Sequence, residues 1–138
     1  MPRISWPVER YLDRRLDSIL EPDVPEKYFY TDRGIAYLAR RKKWGNNVLT
    51  GDSTTVPCFC RSFGNQSVHW KHTVDDNGRL RKLTPKEIAR LFGFDETFDL
   101  RGFSDRQLYF AFGNSIDLYT LKALFDALLF PPPSFYID

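Results

Sequence analysis

Residues 81–121 read RKLTPKEIARLFGFDETFDLRGFSDRQLYFAFGNSIDLYTL, and this segment contains the clearest helix boundaries in the sequence. Thr84 and Glu87 have the spacing of a capping box, in which each side chain accepts a hydrogen bond from the other residue's backbone amide. Pro85 takes the first helical position, where the missing amide hydrogen costs little. Gly93 is expected to end the helix, because glycine adopts the left-handed conformation easily. The pattern predicts a helix that begins after Thr84 and ends at Gly93.

A second helix is predicted further along the same segment. Ser104 and Gln107 repeat the capping-box spacing. Leu108 and Phe112 follow at a separation of four residues, which places both on one helix face. Gly113 then marks the expected end of this helix.

A third helix is predicted from residue 116 to about residue 130, with Asn114 or Ser115 as its cap. Its apolar residues recur at helical spacing. They are Leu118, Leu121, Phe125 and Leu128. Three prolines at 131–133 prevent the helix from continuing. Burial of this stripe within the chain and burial against a larger partner remain equally open.

Two blocks of this segment resemble the last two conserved blocks of the cytosine-5 methyltransferases. In this chain they are Arg81-x-Leu83-Thr84-Pro85-x-Glu87-x-Ala89-x-Leu91-x-Gly93-Phe94 and Gly113-Asn114-Ser115-Ile116. Two blocks in the family's order and at about its separation are more specific than either block alone. The resemblance implies S-adenosylmethionine as cofactor and transfer of its methyl group to C5 of a flipped cytosine, in DNA or in transfer RNA.

The resemblance also implies roles for the two blocks. The first would organise a target recognition domain. In the second, Asn114, Ser115 and Ile116 would approach the methionine end of S-adenosylmethionine. Free backbone amides at the start of a helix can receive a carboxylate, which agrees with that role.

Composition is consistent with one folded domain. The chain has 138 residues, of which 42% are hydrophobic and 16% aromatic, with a formal net charge of +2. This charge does not by itself indicate nucleic-acid binding, for which the basic residues must be clustered. No apolar run approaches the roughly 20 residues of a membrane span. With no signal peptide at its start, we expect an intracellular protein, cytoplasmic or, in a eukaryote, nuclear.

The sequence before residue 81 predicts two helices and a short extended piece. Ser5 and Pro7 indicate the start of an amphipathic helix that continues to Leu20, and residues 27–30 read as extended. Residues 18–30 also resemble, more loosely, the family's entry to its recognition domain. Thr31 or Asp32 then caps a second helix.

That second helix ends in a run of four cations. They are Arg40, Arg41, Lys42 and Lys43, and Trp44 follows them. Cations at a helix C-terminus complement the helix dipole, which is a structural explanation. Contact with nucleic-acid phosphates, with Trp44 as a stacking or anchoring neighbour, is the functional alternative.

Short strands are predicted at residues 54–60 and 67–71, with a turn at 75–78. The polar loop between the two strands lies where the family recognises its target. There we expect Arg61, Asn65 and Gln66 to reach base edges or backbone, and Phe63 to stack. The predicted fold is therefore α+β. A recognition portion with short strands spans 1–83, and helices that dock on a Rossmann-like methyltransferase domain span 84–138.

The two cysteines are not predicted to be catalytic. The family's nucleophile lies in a proline-cysteine pair that is usually preceded by glycine and proline, and neither precedes Pro57-Cys58. Cys58-Phe59-Cys60 instead resembles a Cys-Phe-Thr phrase of the transfer-RNA-modifying branch, with a departure at the third position. A small buried residue on a strand is the simpler interpretation of Cys58. Cys58, Cys60, His69 and His72 do not have zinc-finger spacing, so no metal is predicted.

The family's cofactor-binding and catalytic motifs are not found in this sequence. A glycine-rich turn after a first strand and an acidic residue after a second would mark the cofactor site. Without them, and with a methionine at its start, the chain resembles the small subunit of a split enzyme, inactive without a larger chain. A fragment of a longer enzyme, a non-catalytic nucleic-acid-binding or allosteric paralogue, and a protein-interaction domain are the alternatives.

Overall fold

The computed structural model describes residues 14–40, 48–64 and 72–130. Its elements are α1 (Asp32–Arg40), β1 (Thr73–Asp76), β2 (Arg79–Lys82), α2 (Pro85–Leu91), α3 (Asp105–Phe112) and α4 (Leu118–Leu129), with single 3-10 turns at Leu16–Ser18 and Glu26–Tyr28. The fold is α+β, as predicted. No helix within the described ranges is both long enough and apolar enough to cross a bilayer.

A two-residue turn joins β1 and β2 into an antiparallel hairpin. Asn77 and Gly78 both have positive φ, 53° and 83°, which is the conformation that tight hairpins favour. Asp76 pairs with Arg79 on either side of the turn. The turn prediction at 75–78 is confirmed.

Two single-residue bridges widen this sheet. Leu49 lies beside Val74 in the parallel sense, and Phe29 lies beside Arg81 in the antiparallel sense. The amide of Leu49 donates to the Thr73 carbonyl at 2.7 Å. The hairpin therefore holds two distant segments of the chain against its edges.

The predicted capping boxes are confirmed in α2 and α3. Thr84 and Glu87 satisfy each other's backbone amides, and so do Ser104 and Gln107. Gly93 has a φ of +83°, as expected for a helix stop in the left-handed region. For α1, the Thr31 hydroxyl accepts from the amide of Gly34 at 3.2 Å.

The start of α4 differs from the prediction. The cap is Asp117, whose carboxylate accepts from the amides of Tyr119 and Thr120 at 3.1 Å each, and the helix begins at Leu118. The predicted caps, Asn114 and Ser115, lie in the preceding turn. Asp117 competes successfully because its two oxygens reach two amides at once.

Gly113 ends α3, but not by the expected mechanism. Its φ is −68°, in the ordinary helical region. A Cβ atom at this position would overlap the backbone of Cys60 and Arg61. Glycine is required here because another part of the chain passes close to it.

The strand predicted at 54–60 is wrong, because these residues form no ladder in the structure. The Pro57 carbonyl instead accepts a hydrogen bond from the His72 ring at 2.9 Å. Proline lacks an amide donor, which favours such irregular backbone over a strand. The strand predicted at 67–71 lies outside the described residues.

The predicted N-terminal helix is wrong in its second half. Residues 1–13 lie outside the described ranges, but Leu16–Ser18 is a single 3-10 turn. The amides of Leu16 and Asp17 donate to the carbonyls of Ser53 and Gly51, each at 2.9 Å. The extended piece predicted at 27–30 is reduced to its second half, because Glu26–Tyr28 is a 3-10 turn. Phe29 forms a bridge with Arg81, and the amide of Tyr30 donates to the Leu80 carbonyl at 2.9 Å.

One hydrophobic core joins the residues on both sides of the predicted boundary at 83/84. It consists of Leu16, Tyr28, Leu49, Phe63, Val74, Leu83, Ile88, Ala89, Tyr109 and Phe112. The helix α4 contributes no buried residue to it. The division into portions 1–83 and 84–138 remains a prediction about function.

Candidate nucleic-acid interface

The first of the two sequence blocks, residues 81–94, contains a buried polar network. Arg81 and Glu87 are both 0% exposed, and two guanidinium nitrogens donate to the two carboxylate oxygens at 2.8 Å each. The Nε of Arg81 also donates to Asp76 at 2.6 Å. Burial alone lowers the pKa of Arg81, but hydrogen bonds to Glu87 and Asp76 and their charges outweigh it and raise that pKa. The guanidinium is therefore fixed as a cation within the fold.

Glu87 also binds two backbone amides. It accepts from Thr84 at 2.8 Å and from Glu21 at 2.9 Å. The Thr84 hydroxyl in turn donates to the Glu21 carboxylate at 2.6 Å. One carboxylate thus joins the hairpin, α2 and the incoming 14–30 segment. The Arg81–Glu87 pair is fully buried, while the side chains of Asp76 and Glu21 are 23 and 21% exposed, so the network links these segments within the fold.

The second block forms an exposed turn between α3 and α4. The Asn114 side chain donates to the Phe110 carbonyl at 2.8 Å, and the Ser115 amide donates to Phe112 at 3.0 Å. Ile116 is 48% exposed. The backbone amides of Tyr119 and Thr120, at the start of α4, already donate to the Asp117 side chain. The argument that these amides are free to bind a carboxylate of the cofactor therefore has no support. Asn114, Ser115 and Ile116 remain predicted cofactor residues on this turn.

The structure brings Arg61 next to this turn. The backbone of Cys60 and Arg61 packs so closely on Gly113 that no side chain fits between them. The guanidinium carbon of Arg61 lies 6.0 Å from the centre of the Phe110 ring, within the range of a cation–π contact. A predicted nucleic-acid residue and the predicted cofactor turn are therefore neighbours, although 52 residues separate Arg61 from Gly113.

The prediction for Phe63 is corrected by its burial. Its side chain is 4% exposed and lies in the core. Edge-to-face contacts with Phe59, His72 and Tyr109 surround it, with ring centres 4.9, 4.9 and 5.1 Å away. A ring buried in this way is not available to stack on a base, and the aromatic pattern alone did not distinguish the two roles.

Most of the other predicted nucleic-acid residues lie outside the described part of the chain. They are Arg41, Lys42, Lys43, Asn65 and Gln66. Arg40 is described, and it lies exposed in the last turn of α1, as the dipole argument and the phosphate argument both expect.

Both cysteines are exposed and neither forms a disulfide, which corrects the expectation that Cys58 is a buried strand residue. His72 is buried, and its ring stacks on Phe59 with centres 4.7 Å apart. Within residues 14–40, 48–64 and 72–130, no group of three potential ligands is placed to hold a metal ion. His69 lies outside those ranges.

Two cations that the sequence did not single out lie close to Arg61. Lys82, at the end of β2, and Arg106, in the first turn of α3, line the same cleft as Arg61. Nothing in the sequence indicates this grouping, since the three residues belong to separate segments.

The helix α4 exposes an apolar surface. Phe125, Leu128, Leu129 and Phe130 are 51, 54, 66 and 75% exposed. Of the two possibilities left open by the sequence, full burial of the α4 stripe is not observed among the described residues: Leu118 and Leu121 are half-buried, and Phe125 and Leu128 are exposed.

The family model and the relatives that match this chain are all methyltransferases. The family model described as C-5 cytosine-specific DNA methylase matches residues 9–129. The type II methyltransferase M.DsaV of Dactylococcopsis salina is 32% identical over 132 residues, covering 89% of this chain and 36% of the relative. M1.ScrFI of Lactococcus lactis subsp. cremoris is 32% identical over 129 residues, covering 83% of this chain and 31% of the relative. The chain thus spans about a third of these relatives.

Solved structures of other proteins have a similar fold. The Entamoeba histolytica methyltransferase EhMeth has a TM-score of 0.65 and 21% identity, with 90% of this chain and 44% of that one covered. The S. pombe Dnmt2 methyltransferase has a TM-score of 0.61 and 21% identity, with 88% and 44% covered. At this identity the likeness shows the fold alone. Together with the family match over residues 9–129, the two sequence blocks identify this chain as a member of the C-5 cytosine-specific DNA methylase family.

Proposed function

We propose that this chain is the nucleic-acid-recognition subunit of a cytosine-5 methyltransferase. The enzyme transfers a methyl group from S-adenosylmethionine to C5 of a flipped cytosine in DNA, or alternatively in transfer RNA. A separate, larger chain supplies the catalytic cysteine and most of the cofactor site, so that this chain is inactive alone. The family match over residues 9–129 supports the cytosine-5 methyltransferase part of this proposal.

The exposed surface of α4 is the observation that carries the proposal. Four large apolar side chains at the end of this helix are more than half exposed, which is a costly arrangement for an isolated domain. Ile116, at 48% exposure, lies on the adjoining turn. An apolar surface of this kind favours docking on another protein surface. In the proposal, that surface is the methyltransferase domain of the larger chain.

This chain's own residues would bind and orient the reactants. Asn114, Ser115 and Ile116 would lie at the methionine end of the cofactor, and S-adenosylmethionine would supply the methyl group when bound. Arg61 would contact the nucleic acid, together with the run from Arg40 to Lys43 and with Asn65 and Gln66.

DNA is the first choice of polymer because the matched family is described as a DNA methylase. Transfer RNA remains the alternative because of the Cys58-Phe59-Cys60 phrase. Either polymer is consistent with the proposed intracellular location.

Methyl transfer tests the proposal directly. Tritiated S-adenosylmethionine is incubated with duplex DNA or transfer RNA and with this chain, the candidate larger chain, or both. A non-catalytic paralogue that only docks is distinguished by association without transfer.

A further inference from the structure

We propose that the cleft between α3 and the turn at residues 60–64 binds the phosphate backbone of a nucleic acid. The cleft has a volume of about 570 Å³. Three cations line it, Arg61 from the turn, Lys82 from the end of β2 and Arg106 from α3. This inference rests on the proposed function, and it adds Lys82 and Arg106 to the surface that meets the polymer.

The charge of the cleft is positive and largely uncompensated. Asp105 is the acidic residue in its lining, and its carboxylate is 2.7 Å from the ammonium of Lys27. Arg61, Lys82 and Arg106 form no ion pair with any residue in the described ranges. Like charges gathered without a partner repel one another, and an anion relieves that repulsion. Phosphate is the anion that Arg and Lys bind most often along nucleic acids.

Lys82 is half-buried in the lining of the cleft. Its ammonium is 5.6 Å from the centre of the Tyr28 ring and 5.2 Å from that of Tyr109, so aromatic rings position it. Burial lowers the pKa of Lys82, while the charge of Asp105 raises it and that of Lys27 lowers it. An ammonium that has lost part of its hydration gains more from a bound phosphate than one in open water.

The walls of the cleft are fixed by close packing. A Cβ atom at Gly64 would lie 3.2 Å from the Tyr109 ring, so the turn already rests on α3. Gly113 holds the backbone of Arg61 at the other end of that helix. Binding would therefore require little ordering of the backbone, which improves affinity.

The shape of the cleft favours a polymer over a single small anion. Phe110 is 53% exposed in its lining, and the Arg61 guanidinium lies over it. An exposed ring beside several cations suits sugar and base surfaces that accompany the phosphates. The predicted cofactor turn at Asn114 follows Phe110 by four residues, so a bound strand would pass close to the reaction site.

Acylation of Lys82 tests whether a ligand occupies the cleft. The full chain is treated with an amine-reactive reagent, and the modified fraction at Lys82 is read by mass spectrometry. Duplex DNA, transfer RNA and inorganic pyrophosphate are the added probes. The variants are Arg61→Gln with Arg106→Gln, and Arg101→Gln as a control of equal chemistry whose parent side chain is 91% exposed and paired with Asp99. Fluorescence anisotropy gives the affinity for the same nucleic acids at several salt concentrations.

We expect DNA or transfer RNA to protect Lys82 in the parent chain. The double variant should bind ~10-fold or more weakly, with a salt slope reduced by roughly 1.8, or about 0.9 for each lost phosphate contact. The affinity of Arg101→Gln for nucleic acid should fall by no more than the loss of one distant surface charge explains.

Three results would overturn the inference. If nucleic acid binds while Lys82 stays reactive and the double variant keeps the parent's salt slope, the cleft is not the contact surface, and the proposed function stands. Protection by pyrophosphate without any nucleic-acid binding makes the cleft a site for free phosphates and counts against the proposed recognition role. Absence of protection by every probe removes the site.

Discussion

The guanidinium of Arg81 and the carboxylate of Glu87 form a fully buried, two-contact ion pair, with 2.8 Å between each nitrogen and its oxygen. Breaking such a pair leaves a buried charge without its partner. We therefore expect Glu87→Gln to lower the free energy of unfolding by about 3–5 kcal/mol. Urea unfolding of the full chain measures this loss. The exposed pair of Arg101 with Asp99 is the control, and Arg101→Gln should change the free energy of unfolding far less, because water screens this pair.

Equal losses in Glu87→Gln and Arg101→Gln would contradict the structural role of the buried pair. If Glu87→Gln prevents cooperative unfolding altogether, a second variant is informative. Arg81→Met combined with Glu87→Gln removes both charges and keeps a side-chain oxygen for the amides of Thr84 and Glu21, so it should recover stability relative to Glu87→Gln alone.

The buried phenol of Tyr109 should make the protein less stable at alkaline pH. It is buried and donates to the Leu83 carbonyl at 2.8 Å, and burial raises its pKa well above the ordinary value of about 10. Above pH ~10 the unfolded chain releases a proton that the folded chain retains, so stability falls as pH rises. Burial likewise raises the pKa values of Tyr28 and Tyr30, which adds to the fall.

Tyr109→Phe should therefore cost about 0.5–1.5 kcal/mol at pH 7 through the lost hydrogen bond. Above pH ~10 the unfolding free energy of the variant should also fall less steeply than that of the parent. The difference between the two slopes should be at most about 1.4 kcal/mol per pH unit, the value for one proton. Urea unfolding between pH 7 and 11 measures both effects. The same alkaline slope in the parent and the variant would show that Tyr109 does not contribute.

Alanine variants at Gly93 and Gly102 distinguish the cost of a left-handed backbone from the cost of side-chain overlap. Their φ values are +83° and +86°, but a Cβ atom would lie 2.8 Å from the Tyr119 ring at Gly93 and meets nothing within 4 Å at Gly102. Gly102→Ala should cost the left-handed penalty of about 1–2 kcal/mol. Gly93→Ala should cost clearly more, because Tyr119 in α4 must also move. Unfolding measurements compare the two, and equal costs would show that α4 yields freely.

The α4 surface should matter for association and not for folding. Phe125→Asp with Leu128→Asp changes two exposed side chains, so the unfolding free energy should change little. Complex formation with the larger chain should be lost, because charges would enter an apolar interface. Size-exclusion chromatography with light scattering measures the complex. Lys122→Ala with Asp126→Ala, which removes an exposed pair on the same helix, is the control and should still associate. Unchanged complexes with the aspartate variant would exclude docking through this surface.

Local signals in the sequence predicted local structure well. Both capping boxes and the Asn77-Gly78 turn were predictable because their hydrogen bonds lie within four residues of one another. The strand at 54–60 was not predictable in the same way. A strand requires a partner, and periodicity cannot show whether one is present.

The candidate site depended more on tertiary contacts. Phe63 has the residue type of a stacking platform, but its contacts place it in the core. Arg81 and Glu87 belong to one sequence block, and only the structure shows that both are buried. The grouping of Lys82 and Arg106 with Arg61 arises only when the 60–64 turn packs on α3.

The measurement that tests the split-enzyme proposal most directly is tritium transfer from S-adenosylmethionine to duplex DNA and to transfer RNA. This chain, the candidate larger chain and their mixture are assayed side by side, with the Phe125→Asp/Leu128→Asp variant in a fourth reaction. We predict transfer in the mixture of parent chains and none in the other three reactions. Transfer by either chain alone, or no transfer by a mixture in which the larger chain is folded and binds S-adenosylmethionine, would contradict the proposal.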